Sequence, residues 1–167
     1  AWSGVVSMCG VAVSSETMFS HAALGPLAAF DAMFPGVLPQ APGGLADPSL
    51  PPVADGDAIE AVLAGDEMRA AKLAKRFDIP RGELAGSLWL YYLALRDVAQ
   101  RAGGFPAGSA IGLDGVEGDE AALGVRIRRY VANPSALDYV RQTGALTGAA
   151  PVPVVLQPNT LDPIVPA

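Results

Sequence analysis

Two stretches of this sequence read as buried strands, and they lie at its opposite ends. Gly4-Val5-Val6-Ser7-Met8-Cys9-Gly10 is a short apolar run bounded by glycines, and residues 152–156 are apolar and mostly β-branched. Between them, apolar residues recur at helical spacing or give way to proline and glycine. A parallel pair joined by so long a crossover does not form a stable sheet alone, because a sheet needs about three strands with one face covered. The organisation expected is strand, long helical excursion, strand, with the rest of the sheet carried elsewhere.

The helical excursion has readable punctuation. Residues 17–34 carry apolar side chains at Met18, Ala22, Leu27, Phe30 and Phe34, with an interruption expected at Gly25-Pro26 and an end at Pro35-Gly36. Residues 36–56 are crowded with proline and glycine and read as a surface-hugging connector. Two short helices follow over 57–63 and 67–77, the second capped by Asp66. After Ile79-Pro80, residues 81–101 form one long helix stopped by Gly103-Gly104. Leu84, Leu88, Tyr91, Tyr92, Leu95 and Val98 make its apolar stripe, and Trp89, Leu90 and Leu93 broaden it enough to predict cover on more than one side. Glycines at 108, 112, 115 and 118 mark a loop. A helix is expected over 119–130, and another from the cap Asn133 and Pro134 to Arg141.

Composition narrows the function classes. Half the residues are hydrophobic and 17% are charged, below the roughly 25% of an average domain, so much apolar surface has to be covered by this chain or by another. The net charge of −6, with no basic cluster beyond Arg126, Arg128 and Arg129, argues against nucleic acid as a partner. That arginine group reads as a solvated face paired with Glu117, Asp119 and Glu120. No apolar run approaches the ~20 residues of a membrane span, and Ala1-Trp2-Ser3 lacks the basic start of a signal peptide. One cysteine and one histidine exclude a disulfide framework and a soft-ligand metal site. The acidic group Asp114, Glu117, Asp119 and Glu120 lacks the spacing of a calcium loop. Neither a metal nor another cofactor is expected.

Several segments resemble the α/β-hydrolase superfamily, in particular its serine esterases and lipases. Pro151 to Pro166, PVPVVLQPNTLDPIVP, is similar to the strand and loop that carry the acid of the triad. Ser7-Met8-Cys9-Gly10 resembles the strand that precedes the cap insertion. Gly103-Gly104-Phe105, Gly124-Val125-Arg126-x-x-Arg129-Tyr130 and Asn133-Pro134-x-Ala136-x-x-Tyr139 resemble cap and post-cap segments of bacterial esterase-like members. The resemblance implies an α/β class: a partial α/β-hydrolase fold, with a mostly helical cap inserted between two parallel strands of an incomplete sheet. The divisions are a core strand and following helix over 1–35, a cap or lid over 36–144, and a core strand with the acid-bearing loop over 145–167.

It also implies a reaction, in which a serine attacks a carboxylic ester, a histidine acts as base and Asp162 orients that histidine. Trp89 and Tyr92 are the candidates for contact with a small hydrophobic ester under the cap. No Gly-x-Ser-x-Gly occurs in the sequence. With the family's order of serine, acid, histidine, the nucleophile is expected before Ala1 and the base after Ala167. The remaining hydrolase core is then a partner, which a second polypeptide could carry. His21 precedes the acid in a helical stretch and reads as structural, and Cys9 as a small packing residue. Two rivals remain: a haloalkane or epoxide hydrolase with an aspartate nucleophile, and a non-enzymatic helical module that docks a partner protein. The sequence leaves the compartment open and is compatible with a secreted or periplasmic one.

Overall fold

The helical periodicity of the middle of the chain dominates its structure. A computed structural model describes residues 5–8, 14–109, 115–143 and 154–157. In it β1 (Val5–Met8) is followed by α1 (Ser15–Thr17), a π-helical stretch (Met18–Leu24) and α2 (Gly25–Met33). Then come α3 (Gly56–Gly65), α4 (Glu67–Arg76), α5 (Leu84–Ala102), α6 (Gly115–Leu123), α7 (Pro134–Thr143) and β2 (Val154–Gln157). The strands pair in parallel, Val5 opposite Val154 and Met8 opposite Gln157.

The expected α/β class is overturned. The described chain is helical, and its four-residue strand pair is not a sheet layer on which helices are laid. Among the described residues the strands pack extensively only on each other. The helices instead close a core of their own. Leu27 and Phe30 of α2, Ile59 and Leu63 of α3, Leu73 of α4, and Leu84, Leu88 and Leu95 of α5 are all buried in one cluster. Burial at roughly 1.5–3 kcal/mol per large apolar side chain favours this convergence over a helical face left open for a sheet. Phe19, Leu24, Leu27 and Phe30, from the segment assigned to the strand side, belong to that same core.

Local chemistry explains most boundaries. Asp55 and Asp66 cap α3 and α4 by accepting backbone N–H groups of the first turn. Gly103 takes the left-handed conformation (φ 69°) that closes α5. Around Gly25-Pro26 the chain does not break. Proline has no N–H for the carbonyl four residues back, and the preceding turns widen into π-helix, which carries His21, before α2 continues. The helix expected over 119–130 is a second correction. α6 ends at Leu123, Gly124 turns at φ 73°, and residues 125–132 form no helix or strand, with Ile127 and Tyr130 buried.

α5 is also less enclosed than expected. Leu84, Leu88, Tyr91, Tyr92 and Leu95 are buried, but Leu90 and Leu93 are half-buried and Trp89 is exposed. One face is covered, and the opposite one meets solvent.

Candidate functional site

The residues best placed to do chemistry sit where the proline-rich connector crosses α5. Proline supplies no N–H, and the connector's bends leave a row of carbonyls facing the helix. α5 presents Tyr92 and Arg96, one turn apart, to that row. The Tyr92 hydroxyl donates to Pro51 O at 2.9 Å. The Arg96 guanidinium donates to Asp47 O (3.0 Å), Pro48 O (3.3 Å) and Leu50 O (3.0 Å). The connector thus hugs the surface because one helix collects its acceptors.

Arg96 is 8% exposed, and burying a guanidinium carries a penalty of several kcal/mol unless acceptors replace water. Here the replacements are neutral carbonyls. Among the described residues no carboxylate lies within ion-pair distance of Arg96, and its Nε has no hydrogen-bond partner. Its positive charge still reaches its neighbours. Asp47 is held below the usual carboxylate range, first by the Ser49 hydroxyl and the backbone N–H groups of Ser49 and Gly43, and also by Arg96. Burial pushes the Tyr92 phenol up, and the Arg96 charge opposes that rise.

Beside this junction lies a cleft of about 800 Å³. Pro48, Leu50 and Pro52 form one wall, Arg96, Ala99 and Gln100 the floor, and Phe105, Val131 and Asn133 the far side. Gly104 permits the far side to approach α5, since a Cβ there would stand 2.8 Å from Asn133 Cγ. Asn133 is fixed in turn because its side-chain oxygen accepts from Ser135 N and Ala136 N at the start of α7. Tyr130 closes the base of the same wall. Its ring packs on Phe105 (centroids 5.7 Å apart), and its hydroxyl accepts from Leu45 N at 3.2 Å.

The structure separates the residues singled out from the sequence. Tyr92 is 1% exposed, and its hydroxyl is engaged by Pro51, so it packs the core rather than lining a cavity. Trp89, 37% exposed, lies outside the cleft and covers Gly56 at the start of α3, where an added Cβ would meet its ring at 3.3 Å. Asp162 and Cys9 lie outside the described residues. Of the arginine group, Arg129 pairs with Glu120 at 3.1 Å, and Arg128 donates to Pro42 O at 2.6 Å. Among the described residues no cluster of His, Cys, Asp or Glu could hold a metal ion, and no helix is long and apolar enough to cross a membrane.

Sequence reasoning missed Arg96. An arginine on the polar edge of an amphipathic helix gives no local sign of burial, and its acceptors lie 46 to 49 residues away. The one available signal was the concentration of prolines in residues 36–56, whose carbonyls need donors from elsewhere. No protein-family model matches the chain, and no curated protein or solved structure is detectably similar to it.

Proposed function

We propose that this chain is the substrate-covering, acid-bearing part of a serine hydrolase that cleaves carboxylic esters, with the nucleophilic serine and the base histidine on other polypeptide. One observation carries the reading: the helical body begins and ends at one place. Its first and last helices are joined by Glu16 and Arg141 (2.7 and 3.0 Å), and the flanking segments β1 and β2 run side by side in parallel. A body with adjoining ends is suited to being carried on another structure as a cover. Asp162, in Asp-Pro-Ile-Val-Pro, follows β2 within the same short segment of sequence.

In this reading the serine attacks the ester carbonyl and the histidine takes its proton. The Asp162 carboxylate holds the imidazole in the required tautomer and stabilises the imidazolium that forms. The helical body limits acyl size and excludes water.

The test is fluorophosphonate labelling of the native polypeptide, isolated with whatever accompanies it, together with turnover of p-nitrophenyl butyrate. A labelled serine, with turnover lowered on the order of 10³-fold or more in Asp162→Ala, is the expected result. Labelling with unchanged turnover in the variant removes the role of Asp162, and absence of any label removes the hydrolase.

A second reading, a helical interaction module, has its own support. The body closes its core without a sheet and still displays Met68 and Val131 almost fully to solvent. A protein partner retained in the absence of any labelled serine, and lost in Val131→Asp, would favour it.

A further inference from the structure

We infer that residues 47–53 are a strap that opens as a unit while the helical core stays folded, with Tyr92 and Arg96 as its latch. The segment runs between two anchored points. Before it, Leu45 belongs to the core and its N–H is held by the Tyr130 hydroxyl, while Arg128 donates to Pro42 O. After it, Ala54 is again in the core, and Asp55 caps α3 by accepting from Asp57 N and Ala58 N. Neither Leu50 nor Val53, the aliphatic side chains between these points, joins that core, although Leu50 is buried. Pro48, Pro51 and Pro52 are exposed. The segment's backbone hydrogen bonds are local as well: Asp47 N–H donates to Gly44 O, and Leu50 N–H to Asp47 O. The hydrogen bonds that fasten it to α5 all come from two side chains, Tyr92 to Pro51 and Arg96 to Asp47, Pro48 and Leu50.

The energetics separate this segment from its surroundings. Opening the helices exposes a shared core, whereas opening the strap gives up the latch bonds and the cover over Leu50. Water returns part of that loss, because the freed carbonyls are hydrated and a cation buried without a carboxylate regains its solvation. Segments with few buried apolar contacts open locally at a fraction of the global cost. The strap is also one wall of the cleft, through Pro48, Leu50 and Pro52, opposite Phe105 and Val131. Its release removes that wall and opens the cleft along its length. This inference does not depend on ester hydrolysis and holds for a non-enzymatic module as well.

Thiol labelling reads the opening. The full 167-residue chain has one cysteine, Cys9, and Cys9→Ser provides the background. Leu50→Cys then places a thiol in the strap, and Leu45→Cys and Ala54→Cys place one at each anchor. With an aromatic disulfide reagent, the strap thiol should react at least tenfold faster than the anchor thiols. Low urea should barely change its rate, since a local opening exposes little surface, and should speed the anchor thiols steeply. Adding Tyr92→Phe should speed the strap thiol about fivefold, the equivalent of one lost hydrogen bond, with its urea dependence still shallow. Amide hydrogen exchange in the unsubstituted chain, with Leu50 less protected than Leu45, gives the same comparison without a new cysteine. Equal rates and equal urea dependence at the three thiols, or equal protection of the two amides, would overturn the strap. An unchanged strap rate in Tyr92→Phe would overturn the latch.

Discussion

Two arginines tie distant parts of this chain together, and they do so in opposite ways. Arg96 is buried and holds the connector through the carbonyls of Asp47, Pro48 and Leu50. Arg141 is half exposed and holds α7 to α1 through a bidentate contact with the Glu16 carboxylate. By charge alone the second bond is the stronger, since it joins opposite ions. By environment the order reverses. Water competes for Arg141 and Glu16 in both the folded and the unfolded chain, so an exposed pair adds little. Around Arg96, 8% exposed, water competes far less: its bond to the Leu50 carbonyl is buried, while the Asp47 carbonyl also takes the N–H of Leu50. What surrounds a bond decides its worth more than the formal charge it joins.

The largest effect therefore belongs to Arg96→Met, which keeps the length of the side chain and removes its donors. Losing the buried bond to Leu50 and the part-buried ones to Asp47 and Pro48 should destabilise the chain by about 3 kcal/mol. Chemical denaturation should show this loss nearly unchanged between low and high salt. Tyr92→Phe removes one neighbouring bond, to Pro51, and should lower stability by about 1 kcal/mol. Because both side chains hold the same connector, the double variant should lose less than the sum of the singles. Full additivity would mean that residues 47–51 do not act as one unit.

The contrast between the two arginines also marks what the sequence could say. Helix caps were legible because their chemistry is local: Asp66 before α4, Asn133-Pro134 before α7, and Gly103 after α5 are each decided within one turn of chain. The stripe Leu84, Leu88, Tyr91, Tyr92 and Leu95 was legible for the same reason. The π-helix was not. Gly25-Pro26 signals a break, and only packing of Leu24, Leu27 and Phe30 in the core keeps the chain helical through it. Residues 125–132 misled because Val125 and Arg129 suit a helical face, while Gly124 at φ 73° and the bond of Tyr130 to Leu45 hold the segment out of helix. The α/β expectation gave two terminal apolar runs more weight than a core that the helices complete among themselves. Of the candidate site, sequence alone leaves Tyr92 open between core and substrate contact, because an aromatic stripe looks alike from either side. Arg96 was passed over because its acceptors are far away in sequence.

Between the two arginines in magnitude stands Gly104. A Cβ at this position would push Asn133, whose side chain caps α7, so Gly104→Ala should cost about 1 kcal/mol, near the value of a lost cap. Asn133→Ala should cost about the same, and the double variant little more than either single. Thermal melts of the three variants check this. Independent losses would show that the glycine is needed for some reason other than the cap.

The acidic counterpart of the exposed contact is Glu120. Its carboxyl is held below the ordinary value of 4.5, first by the backbone N–H of Ile127, which it accepts at 2.7 Å, and also by Arg129. A lowered folded-state pKa means that the unfolded chain binds the proton more tightly. The stabilisation is therefore present above 4.5 and disappears as pH falls through the folded value. Glu120→Gln should melt below the parent at pH 7 and alongside it in strong acid, as calorimetry across that range would show. A gap that persists in acid would assign the effect to packing rather than charge.

The smallest expected effect completes the comparison. Glu16→Gln leaves the shape of the Arg141 contact and removes its opposite charge. With Arg141 52% exposed, the loss should be about 0.5 kcal/mol or less at low salt and should vanish at high salt. Denaturation of parent and variant at two ionic strengths gives the answer directly. A loss above 1 kcal/mol that survived high salt would show that the contact behaves as a buried one. The adjoining ends of the helical body would then be fixed as firmly as the connector is fixed by Arg96. A vanishing loss would leave α1 and α7 joined mainly by packing, and the body's ends correspondingly free to adjust.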